Sequence, residues 1–304
     1  MSVVSAENPS DKSAPENGAL HRPPSDVPFY ASMAVIGGTY VVLLVGMLLA
    51  DVAYMSTSDL KPTSVLSEGW MWAAPALKPI LPLVKACQSE AIRYSIKLTL
   101  VSCTFTAILS LFVAVPLGYA LSRFEFRGRN FLDALLDIPI VLPPLVVGLS
   151  LLILWQYPPF SWSASWVVFK IPAVILAQFM VAAAFAVRTM RATFDQIDTR
   201  LEDVALTLGC SRAQAFGMVV LPQAGNGMLT AGTLAWARAM GEFGPLLIFA
   251  GATRFKTEVL STTVFLEFSI GDIEAAVAVS LIMVIAAVIV LIIARIWGSR
   301  TLTI

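Results

Sequence analysis

The chain alternates long apolar runs with short polar interruptions, and the runs have the length of membrane crossings rather than of strands or surface helices. A bilayer core about 30 Å thick needs roughly 20 apolar residues per helix. The stretch "ASMAVIGGTYVVLLVGMLLA" (31–50) meets that length, and so does "LTLVSCTFTAILSLFVAVPLGYALS" (98–122). A third run extends from Phe131 to Trp155, and a fourth from Ile171 to the point where Arg188 and Arg191 appear. The fifth extends from Pro222 to Ala250, and "AAVAVSLIMVIAAVIVLIIA" (275–294) is the sixth. The pattern predicts an all-α integral membrane protein with six transmembrane helices.

Two segments depart from it. Residues 1–27 are rich in Ser, Pro, Asn and charge and contain no apolar run, the composition of a disordered tail ahead of a membrane domain spanning 28–304. The first apolar run has no small-residue cleavage site close behind it and is long enough to span, so it reads as a retained helix. The second departure is "RLEDVALTLGCSRAQAFGMVVLP" (200–222), a half-polar passage between the fourth and fifth runs. Leu201, Val204, Ala205 and Leu208 fall at i, i+3, i+4 and i+7 and predict one apolar helix face turned toward the bundle, with Glu202, Asp203 and Thr207 displayed away from it. Gly209 is placed to end that helix in a left-handed conformation. Ser211 with Gln214 has the form of a capping box opening a second short helix. Pro222 suits the start of the next membrane helix, where its missing N–H costs little. The loop, about 195–221, is thus expected to fold as a helix-turn-helix, either capping the bundle or docking a partner.

Composition agrees with the membrane reading. Of 304 residues, 58% are apolar and 13% charged, against roughly 25% charged in an ordinary soluble domain. The 20 basic and 20 acidic residues balance, so no global field points to nucleic acid. A DNA-binding role for the helix-turn-helix is further opposed by its few basic residues. One His and three scattered Cys offer no metal or disulfide spacing, and no Ser/His, Cys/His or other catalytic constellation is visible. No cofactor is expected. Orientation follows from arginines beside the helix ends: Arg123, Arg127 and Arg129, then Arg188, Arg191, Arg200 and Arg212, then Arg295 and Arg300 all fall on one side of a six-helix chain. That side is expected to be the cytoplasm, with both termini there. The opposite side carries Lys61, Lys78, Lys85, Lys170, Arg254 and Lys256, so the bias is moderate.

The order Asp203-Val204-Ala205, three residues, Gly209, nine residues, Val219-Val220-Leu221-Pro222 resembles the signature loop of the membrane subunits of bacterial ATP-binding-cassette importers. That loop has the form Glu-Ala-Ala, x3, Gly, x9, Ile-x-Leu-Pro. Gly209, Leu221 and Pro222 match outright, while Asp203, Val204 and Val219 depart conservatively. The segments "LDALLDIPIVLPPLVVGLSLL" (132–152) and "LAWARAMGEFGPLLIFAGATRFKTEVLSTTVFLEFSIGDIEAAVAVSL" (234–281) look like those of the molybdate permeases and their sulfate and tungstate relatives. The resemblance covers most of residues 90–297 and leaves out the tail and 51–90.

It implies a permease subunit of the inner membrane that translocates an oxyanion, molybdate first, with sulfate or tungstate as alternatives. Its implied partners are ATPase subunits, a periplasmic substrate-binding protein, a second permease chain, most often an identical one, and the lipid bilayer. Glu202, Asp203, Ala205, Leu206, Thr207 and Gly209 would form or set the ATPase-coupling loop. The chain contains no G-x-x-x-x-G-K-[ST] phosphate cradle, so ATP hydrolysis belongs to a partner and this subunit is not itself an enzyme.

Two features bear on a pathway. Arg238 and Glu242 stand four apart on one helix face and can satisfy each other, either as a structural ion pair or as part of an outer gate with Gly241, Phe243 and Gly244. Pro139, Pro143 and Pro144 interrupt the third run, and Pro143 and Pro144 are expected to line the pore unless they only kink a packing helix. Asp133 and Asp137 lie at its cytoplasmic entrance, where they are expected to help couple it to the loop. A dianion crossing here needs N–H or hydroxyl donors in place of water, whereas fixed positive charges would trap it. The amphipathic stretch 254–272 is expected to be external, docking a binding protein or lying on lipid. An ion-coupled secondary transporter is disfavoured, since it would carry inverted repeats and several deep acidic residues.

Overall fold

The computed structural model describes residues 27–56 and 80–300. The expected tail lies outside the described residues apart from Val27, as do residues 57–79 of the 51–90 segment. By its contacts the chain divides into Met1–Ala50 and Asp51–Ile304. Helix α1 (Val27–Ser56) supplies the described part of the first unit, and its last residues enter the second.

The second unit continues with α2 (Leu81–Gln88) and α3 (Glu90–Arg123), then α4 (Arg129–Val141) and α5 (Pro144–Leu154). After short helical turns at 160–163 and 164–167 come α6 (Ile171–Asp195) and α7 (Thr199–Thr207). Helix α8 (Arg212–Ala215) runs through a π-helical turn, Phe216–Val220, and a further turn, Leu221–Gln223, into α9 (Gly225–Met240). A second π-helical turn, Leu246–Ala250, precedes α10 (Leu260–Ser269) and α11 (Ile273–Arg300). No strand occurs among the described residues.

Four described helices are long and apolar enough to cross a membrane: α3, α6, Met33–Ser56 of α1 and Ile273–Ile293 of α11. The expected third span is instead the pair α4 and α5, bent by 112°. Pro143 and Pro144 explain the break, since adjacent prolines remove two N–H donors and force the preceding backbone into extended geometry. The expected fifth span, 222–250, is divided as well. Helix α9 stops at Met240, and Gly241, Gly244 and Pro245 separate it from the turn that follows. Among the described residues, four unbroken helices and one bent pair reach membrane-crossing length.

Helices α3, α6 and α9 pack into the centre of the second unit. Their contacts use small residues, including Ala107, Ala114, Ala182, Ala186, Ala231 and Ala235. Between helices in lipid, small side chains allow close backbone approach where the hydrophobic effect offers little. Gly118 is the clearest case, because a Cβ there would lie 2.8 Å from Met190 Cβ and 2.9 Å from Arg191 N. A stripe of buried hydroxyls on α3, Ser95, Thr99, Ser102, Thr106 and Ser110, adds polar contacts. Thr99 Oγ1 accepts from Leu260 N at 2.9 Å, Thr263 donates to Ser95 Oγ at 3.0 Å, and Thr106 donates to Gln178 Oε1 at 3.2 Å. The stretch 254–272 therefore does not lie wholly at a surface: Leu260, Thr262, Thr263 and Glu267 of α10 are buried against the bundle.

Candidate functional site

The loop between α6 and α9 folds as two short helices. Asp198 caps α7 by accepting from Arg200 N at 3.0 Å. Its far end is a Schellman turn: Cys210 N donates to Ala205 O and Gly209 N to Leu206 O, with Gly209 at φ +91°. A Cβ at 209 would meet nothing within 4 Å, so glycine is required there for its backbone angle and not for space. Ser211 and Gln214 form the expected capping box, Gln214 N to Ser211 Oγ at 3.3 Å and Ser211 N to Gln214 Oε1 at 2.8 Å. The wide π turn directly ahead of Pro222 leaves room for a ring that would otherwise press on the carbonyl four residues back.

The faces of α7 follow the apolar spacing only in part: Ala205 is buried and Asp203 and Thr207 are exposed as expected, but the rest differs. Leu201, Val204 and Leu208 are 45%, 56% and 80% exposed, and of that predicted face only Ala205 is buried. Glu202, expected to point outward, turns into the protein. Its Oε1 accepts from the Tyr119 hydroxyl, and its Oε2 lies 3.6 Å from Arg123 Nε. Arg123 also donates to Ile197 O at 2.7 Å. A socket of rings holds Tyr119 in place: Phe216 at 4.6 Å between centroids, Phe194 at 5.6 Å and Phe124 at 5.9 Å. Glu202 turns inward because the socket offers a cation and a hydroxyl, where a carboxylate is worth more than a leucine. Asp203, Thr207 and Gly209 stay exposed and Leu206 is half-buried, so the outward surface combines three aliphatic side chains with one carboxylate.

Asp133 and Asp137, expected at the cytoplasmic entrance of the third run, pair across to α6. Arg188 grips Asp137 with two donors, Nε to Oδ1 at 2.7 Å and Nη2 to Oδ2, while Arg191 Nη1 pairs with Asp133. Arg191 also approaches Asp195, which accepts from Ser122 Oγ at 2.6 Å. These contacts tie α4, α6 and the end of α3 together beside the loop.

At the other end of α9, Arg238 Nη1 meets Glu242 Oε1 at 2.5 Å. Glu242 is 1% exposed, whereas the Arg238 side chain is 30% exposed and lies 5.6 Å over the Phe185 ring. Ser261 Oγ donates to Glu242 O at 2.6 Å, and the Phe243 and Phe265 rings stand 5.2 Å apart. The two helix breaks touch each other. A Cβ on Gly148 of α5 would lie 2.7 Å from Pro245 Cα, and one on Gly244 would lie 2.9 Å from Leu145 N and 3.1 Å from Pro144 C. Neither glycine has room for a methyl group, and both meet backbone. Pro143 and Pro144 themselves are exposed. Nearby, Glu258 is fully buried, and among the described residues neither of its oxygens has a hydrogen-bond partner. Burial pushes this carboxyl above its ordinary range, with Thr263 and Arg254 opposing the shift and Glu267 adding to it.

Residues 110–302 match the family described as binding-protein-dependent transport system inner membrane component. The chain is 36% identical over 168 residues to the molybdate/tungstate transport system permease protein WtpB of Pyrococcus abyssi. That match covers 55% of this chain and just under two thirds, 64%, of the relative. It is 32% identical over 200 residues to the sulfate transport system permease protein CysT of Escherichia coli, covering 64% of this chain and 72% of the relative. Among solved structures, a bacterial ABC transporter involved in import of the acidic polysaccharide alginate superposes with a TM-score of 0.68 at 16% identity, covering 90% of this chain and 96% of that one. A bacterial alginate ABC transporter in complex with an alginate pentasaccharide-bound periplasmic protein gives 0.61 at 18% identity, covering 86% and 95%.

Proposed function

The chain belongs to the family of binding-protein-dependent transport system inner membrane components, and on that premise we propose that it is the permease subunit of an ATP-driven oxyanion importer. Molybdate is the favoured cargo. The similarity to molybdate/tungstate permeases supports this, while the similarity to sulfate permeases keeps sulfate as the second reading. The observation that carries the coupling role is the outward surface of α7, where Leu201, Val204 and Leu208 stand exposed around Asp203 on a helix ended by a left-handed glycine. Exposed aliphatic side chains rimmed by polar ones are what a partner protein covers.

ATPase subunits closing on nucleotide would move α7, and the Glu202 socket would pass that motion to α3 and the Arg–Asp pairs to α4. Glu242, Phe243 and the glycines beside them would close the outer mouth, with Arg238 facing the path. One chain supplies half a pathway, so two copies assemble, and a soluble periplasmic protein delivers the anion. The loop and both termini would face the cytoplasm, as the arginine clusters favour.

The test is reconstitution of the chain with its ATPase and binding protein in vesicles, comparing ATPase stimulation and uptake for molybdate, tungstate and sulfate. Molybdate-dependent uptake and stimulation are expected. Preference for sulfate would move the assignment to the second reading. Uptake of none of the three would overturn the oxyanion reading.

A further inference from the structure

Helices α6 and α9 run antiparallel, since Thr193 meets Gly227 near the cytoplasmic end and Phe185 meets Arg238 near the other. Between their cytoplasmic halves lies a cleft of about 560 Å³. Thr189, Thr193 and Gln196 line it from α6, and Gln223, Asn226 and Thr230 from the α9 side. Among the described residues that line it, no side chain is cationic, and one, Asp198, is anionic with its carboxylate already bonded to Arg200 N. Gly227 permits the close approach, since a Cβ there would lie 2.7 Å from Thr193 Cβ. Arg238 stands two helical turns beyond Thr230, about 12 Å along α9.

Three of these hydroxyls donate into their own helices: Thr189 to Phe185 O at 2.9 Å, Thr193 to Thr189 O at 2.8 Å and Thr230 to Asn226 O at 2.9 Å. Carbonyls in a helix interior already accept a backbone N–H, so the hydroxyl proton is a second bond to the same oxygen. Rotating it onto a passing anion therefore leaves no backbone group unpaired. Neutral donors replace part of the hydration of a dianion without holding it as a fixed cation would.

We propose that this seam is the inner half of the translocation path, along which a tetrahedral oxyanion released from Arg238 reaches the cytoplasm on rotating hydroxyl and amide donors. The proposal rests on the oxyanion-importer reading and names the wall of the path. Among the described residues no cation lines the seam, and the carboxylate at its rim, Asp198, offers an anion no resting place, so the seam conducts and does not store.

The experiment uses the full complex in vesicles with radiolabelled molybdate, and with sulfate in parallel. The double variant Thr193→Val/Thr230→Val keeps shape and removes two hydroxyls. Its uptake is expected to fall about tenfold, the factor that one lost charge-assisted hydrogen bond supplies. ATPase stimulation by loaded binding protein should stay within about twofold of the parent, because the coupling helix is untouched. The matching Thr193→Ser/Thr230→Ser variant restores the hydroxyls and is expected to recover most of the uptake. Thr230 is exposed, so Thr230→Arg tests the seam without disturbing packing; it should slow uptake and leave molybdate bound to the purified complex. Near-parental uptake in the valine variant, or equal loss in the serine variant, overturns the proposal in favour of a packing role. Failure of the unmodified complex to move any oxyanion removes the functional reading and this path with it, whereas normal uptake that ignores all three variants removes the path alone.

Discussion

Replacing Glu202 with Gln keeps an oxygen that can accept from Tyr119 and removes the charge that faces Arg123. The two side chains are 12% and 9% exposed and 3.6 Å apart. At an effective dielectric constant near 20, that separation corresponds to a gross attraction of about 4–5 kcal/mol. Breaking a buried pair costs about 3–5 kcal/mol. Arg123 keeps its 2.7 Å bond to Ile197 O, which brings the cost to or just below the lower end of that range, about 2–3 kcal/mol. That is small against the bundle and large against α7, a nine-residue helix whose one fully buried side chain is Ala205. The helix should therefore open locally while α3 and α6 stand. Hydrogen exchange on the purified protein should show amides 200–208 exchanging roughly 30- to 150-fold faster. In the reconstituted complex, more ATP should be hydrolysed per anion moved. Tyr119→Phe should give a comparable effect of the same kind, about 1.5–3 kcal/mol, and the double variant should cost less than the sum because both act on one carboxylate. Exchange at 200–208 unchanged in Glu202→Gln, or equal acceleration throughout α3, refutes the idea that this carboxylate anchors the loop.

Gly209→Val should strain the Schellman turn by about 1–2 kcal/mol and uncouple ATP hydrolysis from uptake without lowering the melting temperature of the membrane helices; full coupling would discard the docking role. Gly148→Ala and Gly244→Ala should each cost about 1–3 kcal/mol or more through backbone collision, read as reduced folded yield and melting temperature, and normal stability in both would contradict the close approach. Glu242→Gln should raise passive leak of anion without ATP if the pair gates the mouth, whereas loss of folded protein alone favours a purely structural pair. Glu258→Gln tests linkage. The folded-state carboxyl sits above its ordinary range, so the folded state holds its proton more tightly than the unfolded chain, and stability falls as pH rises from the ordinary carboxylate range through the raised value. Parent and variant should melt alike at the acidic end, with the variant more stable at pH 8; an unchanged difference across pH would dismiss the buried charge.

The apolar runs, the left-handed glycine and the capping box were legible because each rests on neighbours in sequence. Which way α7 faces was not. Spacing identifies a face but not what covers it, and Glu202 turns inward because of Tyr119 and Arg123, 83 and 79 positions earlier in the chain. The pairing of Asp133 and Asp137 with Arg191 and Arg188 is non-local in the same way, although all four residues stood out singly. Buried hydroxyls at 95, 99, 102, 106 and 110 follow helical spacing and could have been found. They were masked because Ser and Thr barely lower the hydropathy of a long apolar run. Prolines and glycines marked both helix breaks, but only the folded chain brings Gly148 against Pro245 and Gly244 against Pro144.

Those two contacts give the molecule a gradient of stiffness. At the breaks, backbone bears directly on backbone, with no side chain between them to yield, so any load there is carried without appreciable give. Toward the loop, the connections run through side chains, arginine to carboxylate, whose torsions can adjust while the contact is kept. A displacement at α7 would therefore be taken up partly by these side-chain contacts, while the two breaks would move together.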